Sequence, residues 1–356
     1  MNHDSNVQES TVMRADIRGI LENEIPWQKL YGKTVLVTGA GGMIPAYVVR
    51  TLLHLNDERD AGISVLALVR SMPKATAAFA DVLPRPDLDL VSHDVTEPFD
   101  PAARVDLVVH GASPARPALH ASSPVDTIRA NVQGAFNMLD VCVQSGGARF
   151  VLMSSAEVYG QRSDAASLVA EDEYGPIDIL NPRACYSEGK RAAETIAVSY
   201  AAQYGVPVTI ARFGHIYGPG MELDDGRVQA DFTANVIAGQ DITLNSDGSA
   251  RRTYTYLADA VSGLFYAILL GEDTAYNVSD RDGFVSIRDL AHVFAGSRPG
   301  LEVRFRDGID PARYNPVKGQ GLDDSRLRAL GWRPQVGLTA GVDRTIAWHE
   351  ERTGAR

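Results

Sequence analysis

The sequence predicts an α/β protein with a doubly wound parallel sheet and a smaller C-terminal substrate lobe. From residue 34 to residue 212, short apolar segments alternate with amphipathic segments of helical length. A glycine-rich turn at residues 39–42 lies between the first apolar segment and the first helix. Beyond residue 213 the alternation gives way to loops rich in glycine and aspartate. Together these observations indicate a Rossmann-type sheet followed by a second lobe.

The elements follow in order from the spacing of apolar residues. The polar residues 1–11 are expected to be disordered, and a helix over 13–25 is expected to pack on the outside of the main domain. The predicted strands are 34–38, 64–69, 88–93, 107–110, 149–154, 208–212 and 275–278. The predicted helices are 45–55, 124–144, 187–203 and 259–270.

The domain organisation follows from this pattern. We expect an N-terminal extension at 1–31 and a dinucleotide-binding domain at 32–212, to which residues 253–280 return. A substrate-binding lobe is expected from 213–252 and 281–356.

Composition excludes several classes of function. The net charge of −11 argues against a nucleic-acid backbone or an anionic membrane as partner. The two cysteines, Cys142 and Cys185, lack metal-ligand spacing, so no metal is expected and a reducing compartment fits. No apolar run has membrane-spanning length, and residues 1–11 lack the apolar stretch of a signal peptide. We therefore expect a cytoplasmic protein.

The glycine turn is the first candidate binding feature. Gly39, Gly41 and Gly42 follow a strand and open a helix, where backbone amides can hold a pyrophosphate. Pro45 stands where the third glycine of such turns is usual. Proline is tolerated in a first helical turn, so the helix survives, but the close packing that glycine permits has to be provided differently.

The identity of the nucleotide stays open. A second strand that binds the ribose hydroxyls of NAD should end in an acidic residue, whereas here Arg70 follows it. An arginine there suits the 2′-phosphate of NADP, and a solvated surface arginine is the alternative. Asp94, followed by Val95, can place a carboxylate on the adenine amino group or can cap a loop.

Tyr186 and Lys190 are the main catalytic candidates. They lie four residues apart in a predicted helix, so their side chains share one face. A phenol titrates near pH 10, too high for a base at neutral pH. We expect the lysine ammonium to lower that pKa, which would give a base for hydride-transfer chemistry.

A second polar set ends the strand at 149–154. Ser155 can hydrogen-bond the hydroxyl that Tyr186 deprotonates. Glu157 lies in an otherwise apolar stretch, where burying it would be costly without a partner, and the alternative is a loop residue that caps the next turn. Arg227, Arg251 and Arg252 are candidates for a diphosphate, although a single arginine of this kind is more often a surface charge than a ligand.

These motifs resemble the extended short-chain dehydrogenase/reductases that modify nucleotide sugars, and among them the UDP-glucuronate decarboxylases. The resemblance runs from about residue 32 to residue 348. The segments that carry it are 110–115, 154–160, 181–191, 217–221 and 225–228.

The resemblance implies roles for individual residues. Tyr186 would be the base, Lys190 would hold the nicotinamide ribose, and Ser155 would orient the sugar. Glu157 matches the glutamate of decarboxylases and dehydratases. Implied cofactor contacts are Gly39, Gly41, Gly42, Met43, Ile44, Arg70, Asp94, Val95, Ala112 and Lys190. Implied substrate contacts are Ser113, His215, Arg227, Arg252 and Arg313.

The reaction implied by the resemblance is a transient oxidation at C4 of a nucleotide-diphosphate sugar. Decarboxylation of a uronic acid is our first hypothesis and C4 epimerisation the second. Ala156 argues against a 4,6-dehydratase, which usually carries an acid there. His215 replaces a usual asparagine, so it donates to substrate differently or titrates near neutral pH. A catalytically silent, cofactor-binding regulator is the hypothesis from another class, and it would predict a broken Ser/Tyr/Lys set.

We also expect a homodimer. The helices at 125–143 and 187–203 carry apolar stripes, which family members pair into an intersubunit bundle. The alternative is that both stripes face the sheet, as amphipathic helices there do. The stripe residues are Ile128, Val132, Phe136, Leu139, Ile196 and Tyr200.

Overall fold

The structure is a computed structural model, and it describes residues 9–161, 167–306 and 319–353. In these ranges the helices are α1 Thr11–Leu21, α2 Met43–Arg59, α3 Met72–Ala78, α4 Pro117–Ser122, α5 Pro124–Gln144, α6 Ala184–Tyr204, α7 Val228–Ile237, α8 Leu257–Leu270, α9 Ile287–Gly296, α10 Ser325–Ala329 and α11 Leu338–Thr353. The strands are β1 Thr34–Thr38, β2 Ser64–Val69, β3 Leu88–Ser92, β4 Leu107–His110, β5 Arg149–Ser155, β6 Leu168–Val169, β7 Val208–Phe213, β8 His215–Tyr217, β9 Ile242–Leu244, β10 Arg251–Tyr256, β11 Ala275–Val278, β12 Phe284–Ser286, β13 Val303–Phe305 and β14 Gly319–Leu322.

Seven parallel strands form the main sheet. Their spatial order is β11-β7-β5-β4-β1-β2-β3, and all neighbouring pairs are parallel. The strand order reverses between β1 and β4, and ligands of open α/β sheets bind outside the carboxyl ends of the strands at such a reversal. The Rossmann-type sheet predicted from the sequence is confirmed, including the return of β11 to it.

Apolar side chains alternate between the two faces of this sheet. Leu36 and Val108 belong to the core under α5 and α6. Val35, Val37 and Val109 belong to the larger core on the opposite face, which α2 and α8 cover. Both faces are therefore buried, which explains why the strands are apolar without a polar side.

The C-terminal part of the chain forms smaller sheets. Strands β12, β10, β14 and β6 pair in that order, with β8 alongside β10, and β9 pairs with β13. These short strands, with α7, α9 and α11, build a lobe beside the carboxyl edge of the main sheet. The predicted smaller lobe is confirmed as a feature of the fold.

The N-terminal helix packs more deeply than expected. Ser10 caps α1 by accepting from the amide of Met13, so residues 9–11 are part of an ordered helix start, while residues 1–8 lie outside the described ranges. Ile17 is fully buried, and Asp16 is only 1% exposed. The Asp16 carboxylate accepts hydrogen bonds from Tyr47, Tyr256 and Arg344, on α2, β10 and α11. The expected outer helix is confirmed, since α1 packs on α2 and α8, which cover one face of the sheet; it is shorter than the predicted 13–25 at its carboxyl end and also contacts α11 of the lobe.

Most predicted boundaries agree with the structure to within a few residues. Strands β1, β2 and β4 and helix α5 begin and end where the sequence predicted. Helix α6 begins at Ala184, three residues before the predicted start, so Tyr186 lies in its first turn. None of the helices in the described ranges is both long enough and apolar enough to cross a membrane.

Candidate active site

A cavity of about 580 Å³ opens at the carboxyl edge of the main sheet, between the sheet and the lobe. The described residues that the sequence assigned to catalysis or to the cofactor all line it: Gly39, Gly41, Gly42, Met43, Ile44, Arg70, Asp94, Val95, Ala112, Ser155, Glu157, Tyr186 and Lys190. Of the predicted substrate contacts, Ser113, His215 and Arg227 line the cavity and Arg252 does not. Arg313 lies outside the described residues.

The glycine turn leads into the amino end of α2. Gly42 is the N-cap of α2, and Gly39 has a positive φ of 66°. A Cβ at Gly39 would lie 2.8 Å from the Cα of Ala112, in the loop after β4. Glycine at this position therefore lets two backbone segments approach each other at the cavity wall.

Pro45 is accommodated by a glycine on the neighbouring strand end. Its ring is buried in the first turn of α2. A Cβ at Gly111 would lie 2.7 Å from the Pro45 Cγ and 2.7 Å from the sulfur of Met153. Gly111 thus supplies the close packing that the usual third glycine of the turn would provide.

These residues fit a dinucleotide. Unpaired amides at the start of α2 face the cavity, and a Cβ at Gly41 would meet nothing within 4 Å, so a phosphate can approach the backbone there. Asp94 accepts from the amide and the hydroxyl of Thr96, at 3.0 and 2.9 Å. These bonds, first the amide and then the hydroxyl, and the nearby Arg70 guanidinium lower the pKa of Asp94. Asp94 is therefore an ionised loop cap that also lines the cavity, so its two predicted readings are compatible.

Tyr186 does not have the lowered pKa that we expected from Lys190. Loss of solvent around the phenol raises its pKa to about 12, and the Glu157 charge adds to this rise. A hydrogen bond with Ser155 and the charge of Arg227 act in the opposite direction without overcoming it. The physical reason is burial: the free energy of removing a phenolate from water exceeds the stabilisation that Ser155 and Arg227 give to it.

The Lys190 side chain is directed at the backbone as well as at the cavity. It is 3% exposed, and its Nζ donates to the carbonyl of Met153 at 2.7 Å. The Nζ lies 5.9 Å from the centre of the Tyr186 ring. Burial lowers the pKa of Lys190 to about 8, and the Glu194 carboxylate partly counters this. The lysine is therefore still mostly cationic at neutral pH.

Ser155 and Glu157 lie at the end of β5 and in the short 3-10 turn that follows. The Ser155 hydroxyl accepts from the amide of Glu157 at 3.2 Å. The Glu157 side chain is exposed to the cavity, and its carboxylate accepts from the hydroxyl of Ser187 at 3.1 Å. Glu157 therefore avoids the cost of burial that its apolar neighbours in the sequence would have imposed. The strand ends at Ser155, and the turn directs Glu157 into the open cavity.

His120 is a cavity residue that the sequence analysis missed. Its ring stacks on that of Tyr186, with centroids 4.4 Å apart and planes inclined by 13°. The His120 Nε2 donates to the carbonyl of Pro114 at 2.9 Å, since a carbonyl can only accept. Burial lowers the pKa of His120, so the ring is neutral at physiological pH. A lone histidine between Leu119 and Ala121 carries no sequence signal for this contact.

His215 stays neutral rather than titrating near pH 7. Burial, and then the charges of Arg252 and Arg227, lower its pKa to about 3. Its buried Nδ1 has no hydrogen-bond partner among the described residues, and the side chain lines the cavity. A neutral imidazole with a spare ring nitrogen suits a hydrogen bond to a substrate hydroxyl or amide.

The two arginines differ in position. The Arg227 Nε lies 2.8 Å from the carboxylate of Asp225, and the side chain faces the cavity. Arg252 is 8% exposed, and its Nη1 donates to the carbonyl of Arg251 at 2.7 Å. Arg183 and Arg116 also line the cavity, and the sequence analysis did not single them out.

Comparisons with known proteins agree with this geometry. The profile of the NAD dependent epimerase/dehydratase family matches residues 35–279. UDP-glucuronic acid decarboxylase 6 of Arabidopsis thaliana is 32% identical over 312 residues, which are 86% of each chain. UDP-glucuronic acid decarboxylase 1 of Xenopus tropicalis is 31% identical over 318 residues, 88% of this chain and 71% of the relative.

Solved structures share the fold. The dTDP-glucose 4,6-dehydratase DesIV of Streptomyces venezuelae, with NAD bound, superposes with a TM-score of 0.75 at 26% identity, covering 90% of this chain and 98% of that one. The UDP-glucuronic acid 4-epimerase of Bacillus cereus gives a TM-score of 0.72 at 19% identity, covering 90% and 99%, a likeness of fold alone. The chain therefore belongs to the NAD-dependent epimerase/dehydratase family of nucleotide-sugar enzymes.

Proposed function

We propose that this protein is a decarboxylase of a nucleotide-diphosphate uronic acid, with UDP-glucuronate as the first substrate to test. The observation that carries the proposal is the convergence of Ser155, Tyr186, Lys190 and Glu157 on the cavity that the glycine turn enters. Relatives at 32% identity over 86% of the chain are UDP-glucuronic acid decarboxylases, which supports the choice of substrate.

The glycine turn and Lys190 would hold the dinucleotide, with Arg70 and Asp94 at its adenosine end. Bound in its oxidised form, NAD would supply a positive charge and both the acceptor and the later donor of the hydride at the sugar C4. Ser155 accepts or donates at the C4 hydroxyl, and Tyr186 takes its proton. Because the Tyr186 pKa is about 12 in the protein alone, the phenol needs an additional cation beside it to act as a base at neutral pH.

The C4 ketone makes the C5 carboxylate a β-keto acid. The C5–C6 bond then breaks, its electron pair passes into the C4 carbonyl, and carbon dioxide leaves. A proton adds at C5, and Tyr186 gives its proton back to the C4 oxygen when that carbon is reduced again, so no net redox change occurs. Ala156 presents no acid to expel a leaving hydroxyl, and the exposed Glu157 carboxylate, which also accepts from Ser187, can handle water or a proton near C5.

Mass spectrometry of the products tests this proposal. Purified protein is incubated with UDP-glucuronate, and UDP-glucose, which lacks the carboxylate, serves as the matched control. Loss of the mass of carbon dioxide from the uronic acid alone is the expected result. An unchanged mass with a new chromatographic peak would assign a C4 epimerase instead, and no product from a wider set of nucleotide sugars would assign a cofactor-binding regulator.

We propose NAD rather than NADP as the resident cofactor, in keeping with the NAD-dependent family. Arg70 is exposed at the end of β2 and is the residue that would favour NADP. Mass spectrometry of the dinucleotide released from the denatured protein decides between the two. Release of NADP would contradict the proposal. A cytoplasmic location also stays a prediction; the two free cysteines, Cys142 and Cys185, are compatible with it.

We propose a homodimer through α5 and α6. The predicted stripe divides in the structure: Leu139 is fully buried in the core, while Ile128 and Phe136 are 38% and 39% exposed. Phe136 and Tyr200 border a groove of about 430 Å³ between the two helices. A second copy would cover the exposed part of the stripe on both chains at once. Light scattering should give twice the monomer mass, and a monomer mass at micromolar concentration would contradict the proposal.

A further inference from the structure

A buried ionic cluster lies directly behind the catalytic residues. Glu194 on α6 and Arg212 on β7 are 9% and 3% exposed. The Arg212 guanidinium donates to both carboxylate oxygens of Glu194, with an Nη2 contact of 2.7 Å. Ser154 donates its hydroxyl to the same carboxylate at 2.5 Å, and Arg212 also donates to the hydroxyl of Tyr159 at 3.0 Å. We call these four residues the Glu194 network.

Three of the four members of the network lie close in the chain to a residue of the candidate active site. Glu194 lies one helical turn after Lys190, so both occupy the same face of α6. Ser154 precedes Ser155 on β5, where successive side chains point in opposite directions. Tyr159 ends the short 3-10 turn that carries Glu157. Members of the network therefore belong to every element that presents a candidate catalytic side chain: α6, β5 and the 3-10 turn after it.

The network also reaches the C-terminal lobe. The Tyr159 hydroxyl donates to the side-chain oxygen of Asn277 at 2.5 Å. The Asn277 amide group donates to the carbonyls of Val169, on β6, and Asp323, which follows β14. The hydrogen bonds run from α6 through the main sheet to β6 and to the residue that follows β14.

We propose that Glu194 is a positioning residue for the active site, which holds the Ser155 and Glu157 segment in place and keeps Lys190 in its ammonium form. This role deepens the proposed function and rests on it only for the activity measurement below. The carboxylate acts through Ser154, Arg212 and the field at Lys190, and it does not line the cavity.

The charges around Lys190 explain why one carboxylate matters. The ammonium is buried, and burial favours its neutral form. Tyr186 on the same helix and His110 on β4 face it, and neither carries a negative charge at neutral pH, because the phenol titrates at about 12 and the imidazole at about 3. The Glu194 charge is the one that acts against deprotonation of the lysine.

The test measures the pKa of Lys190 directly. Full-length protein is acylated with limiting acetic anhydride at a series of pH values, and mass spectrometry reports the modification of Lys190. In the wild type the midpoint is expected at about 8. Glu194→Gln keeps the shape and loses the charge, so the midpoint should fall by about one unit or more, a typical effect of a nearby charge. The alkaline limb of kcat/KM on UDP-glucuronate should move by the same amount.

Two further variants keep the test decisive. Glu194→Gln combined with Arg212→Gln removes both charges, so the fold is spared a buried unpaired guanidinium, and the lowered midpoint should persist. Glu350→Gln, in a surface glutamate paired with Arg298 at 2.6 Å, is the matched control and should leave the midpoint unchanged.

Each result has a defined meaning. If folded Glu194→Gln protein keeps the wild-type midpoint, the proposal is overturned. It is also overturned if the double variant regains the wild-type midpoint, because the shift in the single variant would then come from the unpaired Arg212. Absence of any wild-type activity on UDP-glucuronate would count against the proposed decarboxylase, while the acylation midpoint would still decide the role of Glu194.

Discussion

The two walls of the cavity are built in different ways. The sheet wall comprises Gly39, Ala112, Ser155, Tyr186 and Lys190, which come from distant parts of the chain and meet because parallel strands end at one edge. Its side chains bond to backbone groups of other elements, as Lys190 does to Met153. The geometry of this wall therefore depends on the whole sheet.

The lobe wall is local by comparison. Most of it comes from one short stretch of chain, with His215, Gly220, Asp225 and Arg227, and Gln320 of β14 lies beside this stretch. Asp225 accepts from both the amide and the side chain of Arg227, so this loop holds its own cation. On the proposed function, we infer that the sheet wall carries the chemistry and that the lobe wall selects the substrate, since a local loop can change without disturbing the sheet.

An ion pair joins the two walls at the cavity edge. Arg116, in the loop after β4, pairs with Glu222 in the lobe, and both side chains are substantially exposed. Exposed pairs contribute little stability, so this contact does not hold the walls rigidly together. The division of roles between the walls can be tested by changing one wall at a time.

The largest effect is expected from Tyr186→Phe in the sheet wall. Removing the hydroxyl removes the base, so turnover on UDP-glucuronate should fall by about 10²- to 10⁴-fold, the usual range for a general base. The amount of bound dinucleotide, measured after denaturation, should be unchanged. Tyr31→Phe, at a tyrosine 36% exposed on the surface, is the control. Retained turnover in the Tyr186 variant would refute the assignment.

Gly39→Ala, at the cofactor end of the sheet wall, is expected to weaken dinucleotide binding. The new Cβ would lie 2.8 Å from the Ala112 backbone, and the residue would be strained at a φ of 66°. Strain and clash of about 2–3 kcal/mol should lower dinucleotide affinity by roughly 30- to 160-fold. Gly62→Ala has a similar φ with nothing nearby, so it isolates the strain. Calorimetric titration showing equal affinities in both variants would contradict the steric argument.

Arg227→Ala in the lobe wall is expected to weaken substrate binding with little effect on the chemical step. A hydrogen bond to a charged group contributes about 1.5–3 kcal/mol, so KM should rise by roughly 10- to 100-fold while kcat stays within about threefold. Steady-state kinetics gives both constants, with the surface variant Arg298→Ala as control. A fall in kcat as large as the rise in KM would show that the lobe wall takes part in catalysis.

The smallest effect is expected at His120, which supports the sheet wall from the side. Its stacking on Tyr186 is worth about 0.5–1.5 kcal/mol, so His120→Ala should lower kcat by roughly 2- to 10-fold. His120→Phe keeps an aromatic ring and should retain most of the activity. Equal losses in the two variants would assign the effect to the lost Pro114 bond instead of the stacking.

The sequence by itself was sufficient to predict the parallel sheet, the glycine turn and the one-turn spacing of Tyr186 and Lys190. Buried strands between two helical layers are apolar on both faces, and a turn or a one-turn helical spacing is encoded within a few residues. Strands β1, β2 and β4 could therefore be placed to the residue.

Only the tertiary structure decided how polar groups distant in sequence meet. His120 against Tyr186, Glu194 against Arg212, and Gly111 against Pro45 are contacts between elements far apart in the chain. The tertiary structure also determines the pKa of Tyr186, which rises rather than falls. It determines the exposure of Glu157 as well, whose side chain lies in the open cavity. The physical reason is that desolvation depends on what packs around a group in space, and local periodicity does not encode this.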